Sequence, residues 1–273
     1  MKHSTIILSC AFLLLLLMSE SAAAQPRIVA HRGGRYEADE NTIPAFASAL
    51  KAGITGYELD IHRSADGKYV IMHDSSVSRT VNAEGILEKM PLSSIRSLRT
   101  MQGNRIPTLD EVLALFGQHD GLYVEFEMKT TDEKLYPEEL LAIYAEDVYA
   151  AVTKACPAGS TYILSSFDTR VLRYLKEHHP DARLMLITAQ GNTEEVRAVA
   201  SAIGLSRIAC YRTRTTQEQM RKAHEEGFVI NLWPNADSAD VAFSCALGAD
   251  YVCTDRPRQL CGHIDKGHFN IKK

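Results

Sequence analysis

Along this chain, short apolar runs alternate with longer stretches whose apolar residues recur at helical spacing. The short runs predict strands at 27–31, 56–61, 122–128, 161–165, 183–187, 207–211, 228–232 and 250–253. Most of the stretches between them carry the three-to-four-residue period of an amphipathic helix, which favours parallel strands joined by crossover helices. Eight such strands predict an α/β fold of the closed kind, a (β/α)8 TIM barrel, rather than an open sheet. One further strand, 69–73, follows the second across Ala65-Asp66-Gly67, a hairpin-type turn signal, and is expected to pair antiparallel near the barrel mouth. Between 73 and 122 the alternation lapses. Turn signals at Ala83-Glu84-Gly85 and Gly103-Asn104 lead into a helix at 108–116, where Thr108 and Glu111 make a capping box. This stretch reads as a small insertion after the second strand and its hairpin, lying over the C-terminal mouth.

The apolar pattern at the N-terminus is of another kind. Lys2 and His3 precede an almost unbroken apolar run over 6–18, and small residues ending in Ala22-Ala23-Ala24 follow it. That order predicts a secretory signal peptide over 1–24, cleaved before Gln25, and leaves 25–273 as one barrel domain. No later run reaches the ~20 apolar residues of a membrane span, so no stable membrane insertion is expected after cleavage. The chain is expected to be exported, periplasmic or fully secreted. Thirty Lys and Arg against 34 Asp and Glu give a net charge of -4 without a basic stripe, which does not favour nucleic acid as a partner. An anionic ligand would therefore need a local positive field. Cleavage leaves Cys156, Cys210, Cys245, Cys253 and Cys261, an odd set in which at least one thiol stays unpaired. One bridge among Cys245, Cys253 and Cys261 and buried free thiols are equally open, and no CxxC pair suggests zinc.

Four segments carry candidate chemistry. His31-Arg32-Gly33-Gly34 ends the first strand, where a proton-exchanging imidazole and a phosphate-matching guanidinium would face the mouth beside a glycine turn. On the second strand, Glu58 and Asp60 share one face while Leu59 and Ile61 take the other. Two carboxylates in a barrel interior call for a cation, and their hard oxygens suit Ca2+ or Mg2+. Glu125, Glu127 and Lys129 repeat the alternation on the next barrel strand, so Glu127 could complete a three-carboxylate site and Lys129 could meet a phosphate or bridge to Glu127. His73-Asp74 at the end of the hairpin strand offers a second imidazole, with Asp74 to orient it or to start the next turn.

Read together, the segments resemble the glycerophosphodiester phosphodiesterase family over essentially the whole mature sequence. The ordered matches are HRG at 31–33, ENT at 40–42, ELD at 58–60, DGKYVIMHD at 66–74, PTLDEVL at 107–113 and EMK at 127–129. Ser165-Ser166-Phe167-Asp168, Trp233 and the run from Gly248 through Thr254-Asp255-Arg256-Pro257 complete them. The resemblance implies a metal-dependent hydrolase that converts glycerophosphodiesters to glycerol 3-phosphate and an alcohol. It implies His31 and His73 as the acid/base pair, Arg32 and Lys129 at the phosphate, and Glu58, Asp60 and Glu127 around one divalent cation. Trp233 would pack against the glycerol carbons. Departures fall at Asp39, where the family usually has proline, at Pro234-Asn235-Ala236 after the tryptophan, and at the acidic Glu125. They bear on pocket shape, so a same-fold enzyme for lysophospholipids or glycerophosphoinositol stays open, as does a binding protein without catalysis. Oligomeric state is not legible.

Overall fold

The strands form where the period-two runs lie, because each run can turn one face into the barrel and the other towards the helices. In the computed structural model, which describes residues 26–264, they are β1 (Arg27–His31), β2 (Gly56–Arg63), β3 (Tyr69–Ile71), β4 (Tyr123–Met128) and β5 (Thr161–Ser166). They continue as β6 (Leu184–Ile187), β7 (Arg207–Tyr211), β8 (Val229–Asn235) and β9 (Tyr251–Thr254). The predicted signal peptide, 1–24, lies outside the described residues. Pairing runs β1-β9-β8-β7-β6-β5-β4-β2, and β1 also pairs with β2, so eight parallel strands close into a ring. The short β3 pairs antiparallel with β2, Ile61 opposite Ile71, as the hairpin signal predicts. Asn235 ends β8 three residues beyond the predicted limit, past a register shift between Leu232 and Asn235.

Helices fill the outer layer: α1 (Ile43–Lys51), α2 (Leu92–Ser97), α3 (Leu109–Phe116), α4 (Glu138–Ala155) and α5 (Thr169–His178), then α6 (Glu194–Ile203), α7 (Gln217–Glu225), α8 (Ser238–Leu247) and α9 (Pro257–Ile264). Their starts are fixed chemically. Thr42, Thr108, Asp168, Thr193, Thr216 and Asp237 each accept a first-turn backbone N–H, and the Thr108–Glu111 capping box is present. Outward strand residues such as Tyr57, Leu59, Ile61, Phe126 and Leu164 join the helices in one large apolar core. Inside the ring, Val29, Tyr123, Ile163, Met185, Ala209 and Cys253 fill the floor. The barrel is thus packed below, and polar groups collect at its mouth.

Two features shape that mouth. At the β1–β2 seam, a Cβ on Gly56 would lie 2.2 Å from the Ile28 carbonyl oxygen, so only glycine lets the strands meet. The insertion has its own small core of Val70, Met72, Val77, Val81, Leu87, Ile95 and Ile106. Asp39 fastens it to the β1–α1 loop, accepting from the Thr100 hydroxyl and, at 2.9 Å, from Asn104 Nδ2. The residue that departs from the family's proline is therefore a tether. Cys156, Cys210, Cys245 and Cys253 are free thiols, and the side chain of Cys261 is outside the described residues. Among the described residues no helix is long and apolar enough to cross a membrane.

Candidate active site

Parallel register brings the predicted residues together. His31 stands opposite Glu58, and Asp60 opposite Glu127, so alternation aims all three carboxylates into one opening. One carboxylate oxygen from each of Glu58, Asp60 and Glu127 lies within 4.8 Å of the others, and all three residues are buried. Isolated burial of three such charges would cost several kcal/mol per ion. Two cations offset part of it. Lys129 Nζ lies 2.7 Å from Glu127 and 3.4 Å from Asp60, and Arg32 Nε lies 3.5 Å from Asp60. Arg32 is shared, since its Nη1 donates to Glu40 at 3.1 Å.

The electrostatics follow from this uneven count. Burial, then Asp60 and Glu127, push the Glu58 carboxyl well above its usual value. Burial would raise Asp60 too, but Lys129, Arg32 and an Asn41 hydrogen bond hold it below the usual carboxylate range. Burial opposes the charge on Lys129, yet Glu127 and Asp60 raise its pKa. Glu58 Oε1, Asp60 Oδ1 and Asn41 Oδ1 are buried acceptors that receive no hydrogen bond. Orphaned hard oxygens beside a surplus of negative charge fit a divalent cation. Glu125 sits one step deeper, accepting from Tyr123 Oη at 2.6 Å and from Asn231 Nδ2 at 2.8 Å, and burial lifts it to about 7. It belongs to the barrel floor rather than to the three-carboxylate group.

The two histidines are built alike. His31 Nδ1 pairs with the Asp255 carboxylate, which leaves Nε2 towards Glu58 at 3.8 Å. His73 Nδ1 pairs with Asp74 at 2.6 Å, and Asp74 also takes a hydrogen bond from Arg79 Nε. Each carboxylate fixes one ring nitrogen as donor and presents the other as a proton acceptor. Burial lowers both imidazoles below their ordinary value, His73 to about 4, so both rings are neutral at neutral pH. The loop that follows His31 is strained: Arg32 and Asn41 have φ of 53° and 56°, rare for residues with a Cβ. Gly34, at φ 98°, leaves a Cβ only 2.9 Å from Pro257.

Trp233 closes the opposite rim, edge-on to Tyr211 at 5.1 Å and to Phe167 at 5.9 Å. All eight residues singled out in the sequence therefore line one mouth. Sequence reading had not assigned Asp255, Glu40 or Asn41 a role. Asp255 was accessible by alternation, since Tyr251, Cys253 and Asp255 continue one face. The ENT match at 40–42 marks Glu40 and Asn41 but not their contacts, since their partners Arg79, Arg32 and Asp60 come from other segments.

Comparison with known proteins agrees with this geometry. Residues 31–259 match the model of the glycerophosphoryl diester phosphodiesterase family. A glycerophosphodiester phosphodiesterase of Caldanaerobacter subterraneus subsp. tengcongensis is 30% identical over 247 residues, covering 88% of this chain and 98% of its own. One from Bacillus subtilis is 26% identical across 96% of this chain and 97% of its own. Among solved structures, an Oleispira antarctica phosphodiesterase in complex with the product sn-glycerol-3-phosphate superposes with a TM-score of 0.80 at 23% identity, over 88% of this chain and 97% of that one. That likeness bears on the barrel, while the sequence matches bear on ancestry. On the length and completeness of those matches, this chain belongs to the glycerophosphoryl diester phosphodiesterase family.

Proposed function

We propose that the chain hydrolyses glycerophosphodiesters to glycerol 3-phosphate and an alcohol, with His31 and His73 exchanging protons and a Ca2+ or Mg2+ ion held by Glu58, Asp60 and Glu127. One observation carries this reading. Two carboxylate-oriented imidazoles, two cations and three clustered carboxylates converge on a single barrel mouth. The ion, when bound, would supply Lewis-acid polarisation of a phosphate oxygen and neutralise part of its charge. Arg32 offers a planar fork to the phosphoryl oxygens, and Lys129 a point charge. Stabilising the charge that develops there is the largest catalytic contribution expected of the site.

Proton traffic falls to the histidines. In the free enzyme both are neutral, so either can take the proton of the attacking hydroxyl on its open nitrogen. An anionic phosphodiester in the mouth favours the protonated ring of the other, which then donates to the departing alcohol. The attacking group is either water or the neighbouring glycerol hydroxyl, and a deoxyglycerol substrate separates them: retained turnover excludes the cyclic route. Trp233 would cover the glycerol carbons. Export, with 1–24 removed as a signal peptide, is part of the same proposal, and N-terminal sequencing of the extracytoplasmic protein tests it.

The direct test is glycerol 3-phosphate release from glycerophosphocholine, with chelator and then with added Ca2+ or Mg2+. Release that stops with chelator and returns with one cation supports the assignment. Release that persists in chelator would remove the metal from it. No release with any metal, from this or from lipid and inositol substrates, would overturn the hydrolase reading.

A further inference from the structure

His62 follows Glu58 and Asp60 on the inward face of β2, two residues beyond the carboxylates, and is 3% exposed. Both its ring nitrogens meet acceptors. Nδ1 lies 2.5 Å from Glu88 Oε1, and Nε2 lies 3.1 Å from the main-chain oxygen of His73. The carbonyl oxygen can only accept, so Nε2 donates to it, while Nδ1 shares a proton with Glu88. Glu88 is held in turn, because Ser75 Oγ donates to Oε2 at 2.6 Å and Tyr136 Oη to Oε1 at 3.1 Å. Burial raises Glu88, but His62 and then the Ser75 hydrogen bond hold its carboxyl below the usual range.

The placement of these contacts gives the ring a task. Ser75 and the His73 carbonyl flank Asp74, the residue that orients the His73 ring. Leu87 N also donates to Ser75 O at 2.9 Å, so the insertion holds the 73–75 turn through backbone as well. The turn is gripped on one side by His62 from the barrel and on the other by Glu88 from the insertion. We propose that His62 is a positioning residue that, bridging Glu88 and the His73 main-chain oxygen, fixes the 73–75 turn so that His73 presents its open nitrogen to the substrate. The inference rests on the assignment of His73 as a proton-transfer group, and it connects the seating of the insertion to the catalytic geometry.

A double-mutant cycle tests it. His62→Gln keeps a donor but cannot span both Glu88 and the His73 oxygen as the ring does. With glycerophosphocholine, kcat is expected to fall about tenfold or more in the otherwise native chain with KM within about twofold, and less than about twofold in a His73→Ala background. Equal losses in the two backgrounds would overturn the proposal, because a general structural defect does not act through His73. Cation affinity by calorimetry is expected to stay within about threefold of the native value, and a larger drop would move the effect to the carboxylates and overturn it. Amide hydrogen exchange over 73–77 is expected to accelerate in His62→Gln while that of β4 is unchanged. That measurement needs no turnover, so it still judges the pin if the chain proves inactive on every glycerophosphodiester, and unchanged exchange overturns it. Should His62→Gln fail to fold, Glu88→Gln, which keeps the ring and removes the carboxylate that holds it, is read in the same way.

Discussion

At the scale of single residues, the site is a set of paired roles. His31 and His73 come from different loops, yet each has its Nδ1 held by a carboxylate, Asp255 in one case and Asp74 in the other. His31→Ala and His73→Ala are each expected to lower kcat on the order of 10²-fold. Asp255→Asn should cost a comparable factor while leaving KM nearly unchanged, because the ring remains but its tautomer is no longer fixed. Steady-state kinetics on glycerophosphocholine checks all three, and losses under tenfold from both histidine variants would remove the acid/base assignment. The histidines, Arg32, Lys129 and the carboxylates were legible in the sequence because strand alternation says which side chains share a face. The contacts of Glu40, Asn41 and His62 were not. Their partners lie 39, 19 and 26 residues away for Arg79, Asp60 and Glu88, and no local period encodes such contacts.

At the scale of elements, the strands and capped helices were readable because their causes are local. The capping box of α3 is one such cause, and Thr108→Ala is expected to cost about 1 kcal/mol. For a domain of this size that is a fall of about 2–4 °C in Tm by thermal unfolding. The insertion is held by less local means: Arg79 donates to Glu40 at 2.6 and 2.9 Å and also to Asp74, and Glu88 holds His62. Burial raises Glu40, Asp74 and Glu88, but their donors outweigh it and depress all three. A depressed carboxylate contributes stability that is full above its unfolded pKa, about 4, and that is lost as pH falls through the folded one. Proteolysis within 74–107 should therefore be slow at pH 6 to 8 and accelerate below about pH 4.5. Acceleration that begins near pH 6 instead would assign the hold on the insertion to other groups. Sequence reading placed this insertion at the mouth but not its fastenings, which depend on how three loops meet.

For the molecule as a whole, closing the ring and assembling the site are one event. The β1–β2 seam sets His31 against Glu58, and Gly56 is the residue that lets the seam close. Gly56→Ala is expected to destabilise by about 1–3 kcal/mol or more, as overpacking does, and to weaken cation binding in the fraction that folds. Calorimetry and thermal unfolding on the same sample check it, and a native-like Tm with native affinity would show that the strands can part without consequence. A closed ring was the preferred reading of eight strands, but this seam contact was invisible, since Gly56 reads only as the first residue of a strand and its close approach to Ile28 appears only when the ring is closed.

The circle of strands is chemically lopsided. Around β1, β2, β3 and β4 stand both imidazoles, Arg32, Lys129 and every carboxylate of the cluster, whereas the inward residues Ser165, Ile187, Tyr211, Asn231 and Trp233 of β5 to β8 are all uncharged. Such an arrangement separates what must be kept from what can drift. If those groups break the bond as proposed, the loops after β5, β6 and β7 can be exchanged, and with them the alcohol accepted, without disturbing the charged set or Trp233. One reaction can in this way be re-addressed to many leaving groups, and a chimera that transplants only those loops from a relative would be expected to inherit the relative's preference together with the catalytic groups proposed for this chain.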